Sequence, residues 1–282
     1  MAETINNINR EANHAEVSHD HTLYAETIFK VGGFPVTNSL INTWLVVLIV
    51  LALSWTLRSR LKLVPRGIQN FFESIIEVFL DLFDSVTGSR QKSLKFFPFV
   101  FAFFFFILLN NWLGILPGIG SIGLNAAEDG HSVFVPFFRG GTADLNTTLA
   151  LATIAVVASH IFGVIALGAW NHFNKFINLK AILAIPKAVK AEPAVLIVNP
   201  IKLVVGLIEI ISELAKVASL SFRLFGNIFA GEVLLASMSA ILAFGLPIPF
   251  MFLEVMVGAI QALVFAMLAL SYLTMSTAPE EH

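Results

Sequence analysis

The sequence predicts an all-α integral membrane protein, with about five transmembrane or strongly tilted helices and one interfacial amphipathic helix. Of its 282 residues 57% are apolar, 27 are Phe and only 13% are charged. That much apolar side chain cannot be hidden in a soluble core of this size. Apolar runs of roughly 20 residues, the length that crosses ~30 Å of hydrocarbon, recur along the chain. Lys and Arg collect at the ends of those runs, as membrane anchors and topology signals do.

The same composition excludes several classes of function. Without Cys there is no disulfide framework, thiolate metal site or redox chemistry. A net charge of −2 with no basic patch describes no nucleic-acid binder. No P-loop or similar signature occurs, so the chain is not expected to hydrolyse ATP itself or to need a cofactor. The histidines of HAEVSHDH, His14 to His21, follow no spacing that would fix the ligands of a metal, and no metal site is expected.

Residues 1–38 are polar, carry Glu3, Glu11, Glu16, Asp20 and Glu26, and lack the basic start and short apolar core of a secretory signal. They read as a solvated tail. Residues 39–57, SLINTWLVVLIVLALSWTL, are uncharged and closed by Arg58, Arg60, Lys62 and Arg66, which makes a transmembrane helix. Residues 67–87 set Phe71, Phe72, Ile75, Ile76, Phe79, Leu82 and Phe83 at helical spacing against Glu73, Glu77 and Asp81, the pattern of an interfacial helix. A span at 96–116 carries Asn110 and Asn111 near the end that meets Pro117.

The Gly-rich loop that follows contains a single basic residue, Arg139. Residues 143–170 cross back, carrying Asp144, Asn146 and His160, before a loop with Lys175, Lys180, Lys187 and Lys190. His160 reads as a packing histidine, and Lys187 and Lys190 as interface anchors. A long helix at 201–242, a last helix at 248–275 and a short tail at 276–282 complete the chain. No repeat divides it, so 39–275 is one membrane domain. Twelve Lys and Arg, from Arg58 to Lys202, fall on one side, against Arg10, Lys30 and Arg139 opposite. The positive-inside rule then puts the N-terminus outside and the C-terminus inside.

The 42 residues of 201–242 would measure ~63 Å as one helix, about twice the hydrocarbon thickness. Such a helix must be broken or strongly tilted on a protein surface that tolerates its charges. Among those charges Arg223 stands out, because an Arg at the centre of a membrane helix costs ~2.5–3.5 kcal/mol and is rarely kept without a task. On a helical wheel Glu209, Lys216 and Ser219 fall within ~40° of Arg223, Asn227 lies one turn on, and Glu232 lies opposite. Arg223 and Glu232 therefore cannot neutralise each other as neighbours on one face. The last helix shows a second stripe of Glu254, Gly258, Gln261, Phe265 and Tyr272, with Glu254 and Gln261 ~10 Å apart along the axis. Its glycine permits close approach of backbones. A carboxyl at such depth usually marks an ion path rather than polar packing.

The stretches SFRLFGNIFAGE, PFMFLEVMVGAIQALVFAMLALSYL, NNWLGILPG and ADLNTTL resemble subunit a of the F-type ATP synthase, and the resemblance spans about residues 60–275. It implies a stator protein beside a rotating ring of c subunits, with its last two helices forming a tilted hairpin around that ring. Arg223 would be the essential arginine that faces the ring. Glu232, Gln261 and Asn227 match polar positions of the family's ion path, and Asn111, Asp144 and Asn146 match residues of its outer half-channel. Glu254 stands where some bacterial members carry His, and Gly114 where some carry Asp.

Helix position puts Glu232, Glu254, Gln261, Asp144 and Asn146 on the outer path, and Glu209, Glu213 and Ser219 at the inner exit. The implied partners are the c-subunit ring, b-type peripheral stalk subunits, the soluble ATPase sector and the lipid of an energy-transducing membrane, the bacterial plasma (inner) membrane. The ion implied is the proton, with a Na⁺-translocating version as the alternative. A secondary transporter is disfavoured, since no inverted repeat or pair of broken helices occurs.

Overall fold

The computed structural model describes residues 25–59, 67–116, 118, 122–128, 131–177, 195–242 and 245–278. An antiparallel hairpin, β1 (Thr27–Val31) and β2 (Phe34–Thr37), leads into helix α1 (Asn38–Ser59). Helices α2 (Ile68–Thr87) and α3 (Arg90–Ile115) follow, then a second hairpin, β3 (Gly123–Glu128) with β4 (His131–Pro136). A single 3₁₀ turn at Gly141–Ala143 precedes α4 (Leu145–Leu167) and the short α5 (Ala169–Ile177). The chain ends in α6 (Val195–Ile241) and α7 (Pro247–Thr277). Five of these helices, α1, α3, α4, α6 and α7, are long and apolar enough to cross a membrane, so the all-α membrane class holds.

The hairpins are the main departure from expectation. The first occupies residues read as tail, where Gly32 and Gly33 both take positive φ, 56° and 89°, as a tight hairpin turn requires. The second fills part of the loop between the second and third spans. Both have strands of four to six residues, too short for alternation to stand out in a polar stretch. Helix α3 starts at Arg90 rather than 96 and runs on through Pro98, which forfeits one helical hydrogen bond. Helix α6 likewise begins at Val195 and passes through Pro200. Its 47 residues span ~70 Å, which sharpens the need for tilt. The tail histidines, Lys180, Lys187 and Lys190 lie outside the described residues.

In lipid no hydrophobic force draws apolar helices together, so close packing must do it. Helix α7 presents Gly258, Ala262, Ala266 and Ala269, all buried, and packs against α2, α3, α4 and α6. The small side chains bring the backbones near. Around them lie Phe103, Ile107, Leu220, Leu224, Ile228 and Phe265 in one cluster, with Phe83, Phe96, Val100, Leu270 and Leu273 in a second. The amphipathic α2 is held by a phenylalanine ladder: Phe79 meets Phe101 and Phe104 at ring distances of 5.3 and 4.5 Å, and Phe83 meets Phe97 at 5.7 Å. Glu73, Glu77 and Asp81 stay exposed on its other side. Phe71 and Leu82, expected on the packed face, are also exposed. The turn to α3 is closed by Gly88 in the left-handed conformation, φ 67°, and by Arg90, which reaches Asp81 and Asp84 at 2.9 and 2.8 Å.

Candidate functional site

Glu254, in the third turn of α7, is only 6% exposed, and its Oε1 meets no hydrogen-bond partner among the described residues. It can sit there because the facing residue of α6 is Gly231: a Cβ at that position would fall on the Glu254 carboxyl. The next residue, Glu232, turns to Arg139, whose Nε donates to Glu232 Oε2 at 3.1 Å. Both side chains are largely shielded, at 21% and 9% exposure. Glu232 and Glu254, with Asn111, Gly114 and Gly140, line a cavity of about 20 Å³, room for about one water.

Asn111 fixes one wall of that cavity. Its Nδ2 donates to the Gly258 carbonyl at 2.9 Å, and its Oδ1 accepts from Thr142 Oγ1 at 2.5 Å. A Cβ on Gly258 would stand 3.0 Å from that of Asn111, so the glycine of the α7 stripe sets the α3–α7 approach. Trp112 adds a second link, donating from Nε1 to the Val255 carbonyl at 3.1 Å. Gly114 is equally constrained, since a Cβ there would come within 2.8 Å of the Gly140 backbone. An acidic side chain at 114 would not fit this arrangement, and the carboxyl of the site comes from Glu254 instead.

Asp144 and Asn146 do not line the cavity. Asp144 caps α4: its Oδ1 accepts from the Asn146 backbone N–H at 3.1 Å and from Asn146 Nδ2 at 3.3 Å, and its Oδ2 accepts from Thr147 Oγ1 at 3.4 Å. One turn on, the Thr148 and Ser221 hydroxyls meet at 3.2 Å and join α4 to α6. Gln261, half-buried on α7, and Asn227, exposed on α6, make no side-chain hydrogen bond among the described residues.

Arg223 points off the chain. Its neighbours Leu224 and Leu220 are 1% exposed and anchor α6, while Arg223 itself is exposed beside Phe222. Its Nη2 donates to Ser219 Oγ, one turn away, at 3.2 Å. Among the described residues no carboxylate pairs with it.

A second polar cluster joins α4, α5 and α6. His160 Nε2 lies 3.4 Å from Glu213 Oε2, and its Nδ1 lies 3.2 Å from Nε2 of the buried His172. The other Glu213 oxygen takes Lys216 Nζ at 2.6 Å, and that ammonium sits 5.1 Å over the Tyr272 ring. His160 is thus part of a charged network rather than ordinary packing. Glu209 is half-buried one turn before Glu213.

The structure therefore gathers Glu232, Glu254 and Asn111, pairs Asp144 with Asn146, and sets Ser219 beside Arg223. Sequence reasoning missed Arg139, Gly231, Thr142 and His172. Arg139 did carry a signal, as the single basic residue of its loop. Gly231 carried another, as the small residue next to a membrane carboxylate.

Fold and site define a multi-pass membrane subunit that keeps ionisable side chains among its spanning helices. Residues 40–274 match the family described as ATP synthase A chain, and the chain belongs to that family. It is 30% identical over 246 residues to ATP synthase subunit a of Moorella thermoacetica, which covers 87% of this chain and 93% of the relative. It is also 33% identical over 255 residues to ATP synthase subunit a of Syntrophobacter fumaroxidans, covering 89% of each. Members are non-catalytic membrane subunits of the ATP synthase.

Proposed function

We propose that the chain is the ion-translocating stator subunit that couples proton flow to c-ring rotation and ATP synthesis, through two offset half-channels separated by Arg223. The observation that carries this is the outward Arg223, which has no carboxylate partner among the described residues. A guanidinium on a membrane helix, at ~2.5–3.5 kcal/mol, needs a counter-charge from elsewhere, and a ring carboxyl passing at the same depth supplies one.

A proton arriving from outside reaches the cavity of Glu254 and Glu232 and passes to a ring carboxyl. Asn111, Asp144, Asn146, Gln261 and Asn227 belong to this outer side. Neutral, the ring carboxyl can travel through lipid; facing Arg223, its ionised form is favoured and the proton leaves. Release follows the inner path, for which Glu213, Glu209 and Ser219 are the candidates, with His160 beside Glu213. The fixed positive charge keeps protons from crossing directly between the paths. Each 100 mV of membrane potential supplies ~2.3 kcal/mol per charge, which the offset turns into torque. Stalk subunits of the b type hold the chain still against the ring. In the bacterial plasma (inner) membrane the N-terminus lies outside and the C-terminus in the cytoplasm.

The test is Arg223→Ala in the purified complex, with synthesis and passive proton leak read in the same vesicles. Synthesis should vanish while subunit content stays normal and leak persists or rises. Synthesis at a substantial fraction of the normal rate would make Arg223 structural.

A further inference from the structure

The polar groups around the cavity continue into a buried line that ends at the start of α1. Thr142, bonded to Asn111, follows Gly141, and the space a Cβ would take on Gly141 is filled by Asn110 Oδ1 and Thr43 Oγ1. Asn110 Oδ1 accepts from Asn42 Nδ2 at 3.4 Å, and Ser39 Oγ donates to the Gly141 carbonyl at 3.4 Å. Asn38 Nδ2 lies 3.5 Å from Glu26 Oε2, and the Asn38 N–H donates to the Glu26 carbonyl at 3.0 Å. Asn38, Ser39, Asn42, Asn110 and Thr142 are all 0% exposed, whereas Glu26 reaches the surface.

Polar groups buried among membrane helices normally close on one another. These do not close completely. Asn42 Oδ1 and Thr43 Oγ1 have no partner among the described residues, and neither does Glu254 Oε1 at the far end of the line. Leaving such atoms bare costs roughly 1–3 kcal/mol each, and bridging water is what satisfies them in protein interiors. One turn past Asn42 the line stops: Val46 is just as buried and wholly apolar.

We infer that the outer ion path begins at Glu26 and runs along the first two turns of α1, with Asn42, Thr43 and Asn110 lining a hydrated section before Asn111 and Glu254. The first hairpin and α1 then form the mouth of the path rather than only a membrane anchor. Glu26 adds a negative charge where cations enter, and the amides offer both donors and acceptors to water. This inference rests on the reading of Glu254 and Glu232 as the outer path.

Thiols test it in the assembled complex, and the chain has no Cys of its own to interfere. Asn42→Cys, Thr43→Cys, Val46→Cys and Glu254→Cys complexes would be exposed to silver ions from the outer side. Each is then denatured and scored for thiol protected from alkylation. Asn42→Cys and Thr43→Cys should be protected roughly tenfold faster than Val46→Cys, since a thiol in apolar surroundings is inert. Thr43→Cys is the smaller change and covers the case in which Asn42→Cys does not assemble. Protection at Glu254→Cys alone would overturn the α1 path while leaving the proposed function standing. Protection at none of the four would overturn both.

Discussion

Gly231 of α6 and Glu254 of α7 share one space, because the carboxyl of the second lies where a Cβ of the first would be. Gly231→Ala should therefore push Glu254 out of the cavity while helping the helix itself by ~1 kcal/mol. On the proposed reading of Glu254 as a proton-transfer group, the complex should assemble normally and pump protons at least ~10-fold more slowly. Gly231→Ala combined with Glu254→Asp, which shortens the intruding side chain, should recover part of the rate. ATP-driven pumping in vesicles measures both. An unaltered rate in Gly231→Ala would mean that the Glu254 position is unimportant.

Arg139 and Glu232 should behave as one unit. Removing either leaves a shielded charge without its partner, at a cost of roughly 1–3 kcal/mol, below the ~3–5 of a fully buried pair because Glu232 is partly accessible. The double change Arg139→Gln with Glu232→Gln should be less destabilising than the sum of the singles. Thermal denaturation of the detergent-solubilised complex reads this out, and simple additivity would deny the coupling.

Glu232 and Glu254 line the same cavity and, on the proposed reading, serve the same path. Each single change to Gln should slow pumping. The pair should lose less than the product of the single losses, since a path already impeded at one residue is little worsened at the next. Multiplicative losses, measured in the same vesicles, would assign them separate roles.

Arg223→Lys should rescue Arg223→Ala poorly. The ammonium is a compact charge that gives up its proton when desolvated, whereas guanidinium stays charged and spreads its donors. ATP synthesis driven by an imposed proton gradient decides this, and Lys working at near the normal rate would reduce the role of Arg223 to charge alone.

How much of this was legible in the sequence follows from the range of each interaction. The spans, α2 and the unusual length of α6 rest on periodicity and composition, which are local properties. Glu254 and Arg223 could be singled out because a charge in an apolar run is costly wherever it points. The direction in which Glu232 turns depends on Arg139, 93 residues away, and no local pattern encodes such a pairing. The hairpin at Thr27–Val31 and Phe34–Thr37 was hidden by shortness, although Gly32 and Gly33 marked its turn. The His160–His172 contact depends on Gly163, where a Cβ would run into the His172 ring. A lone histidine in an apolar span gives no hint of that second histidine folded back on it.

On the proposed reading, the cavity between the two carboxylates bears on which ion the subunit can pass. At about 20 Å³ it has room for about one water. A proton need not fit through it at all, because one water can accept a proton on one side and release another on the opposite side without leaving its place. A sodium ion has to come in person, shedding most of its hydration shell to enter a space that holds about one water. On the proposed reading, in which the ion path runs through this cavity, it favours the ion whose current requires no atom to travel.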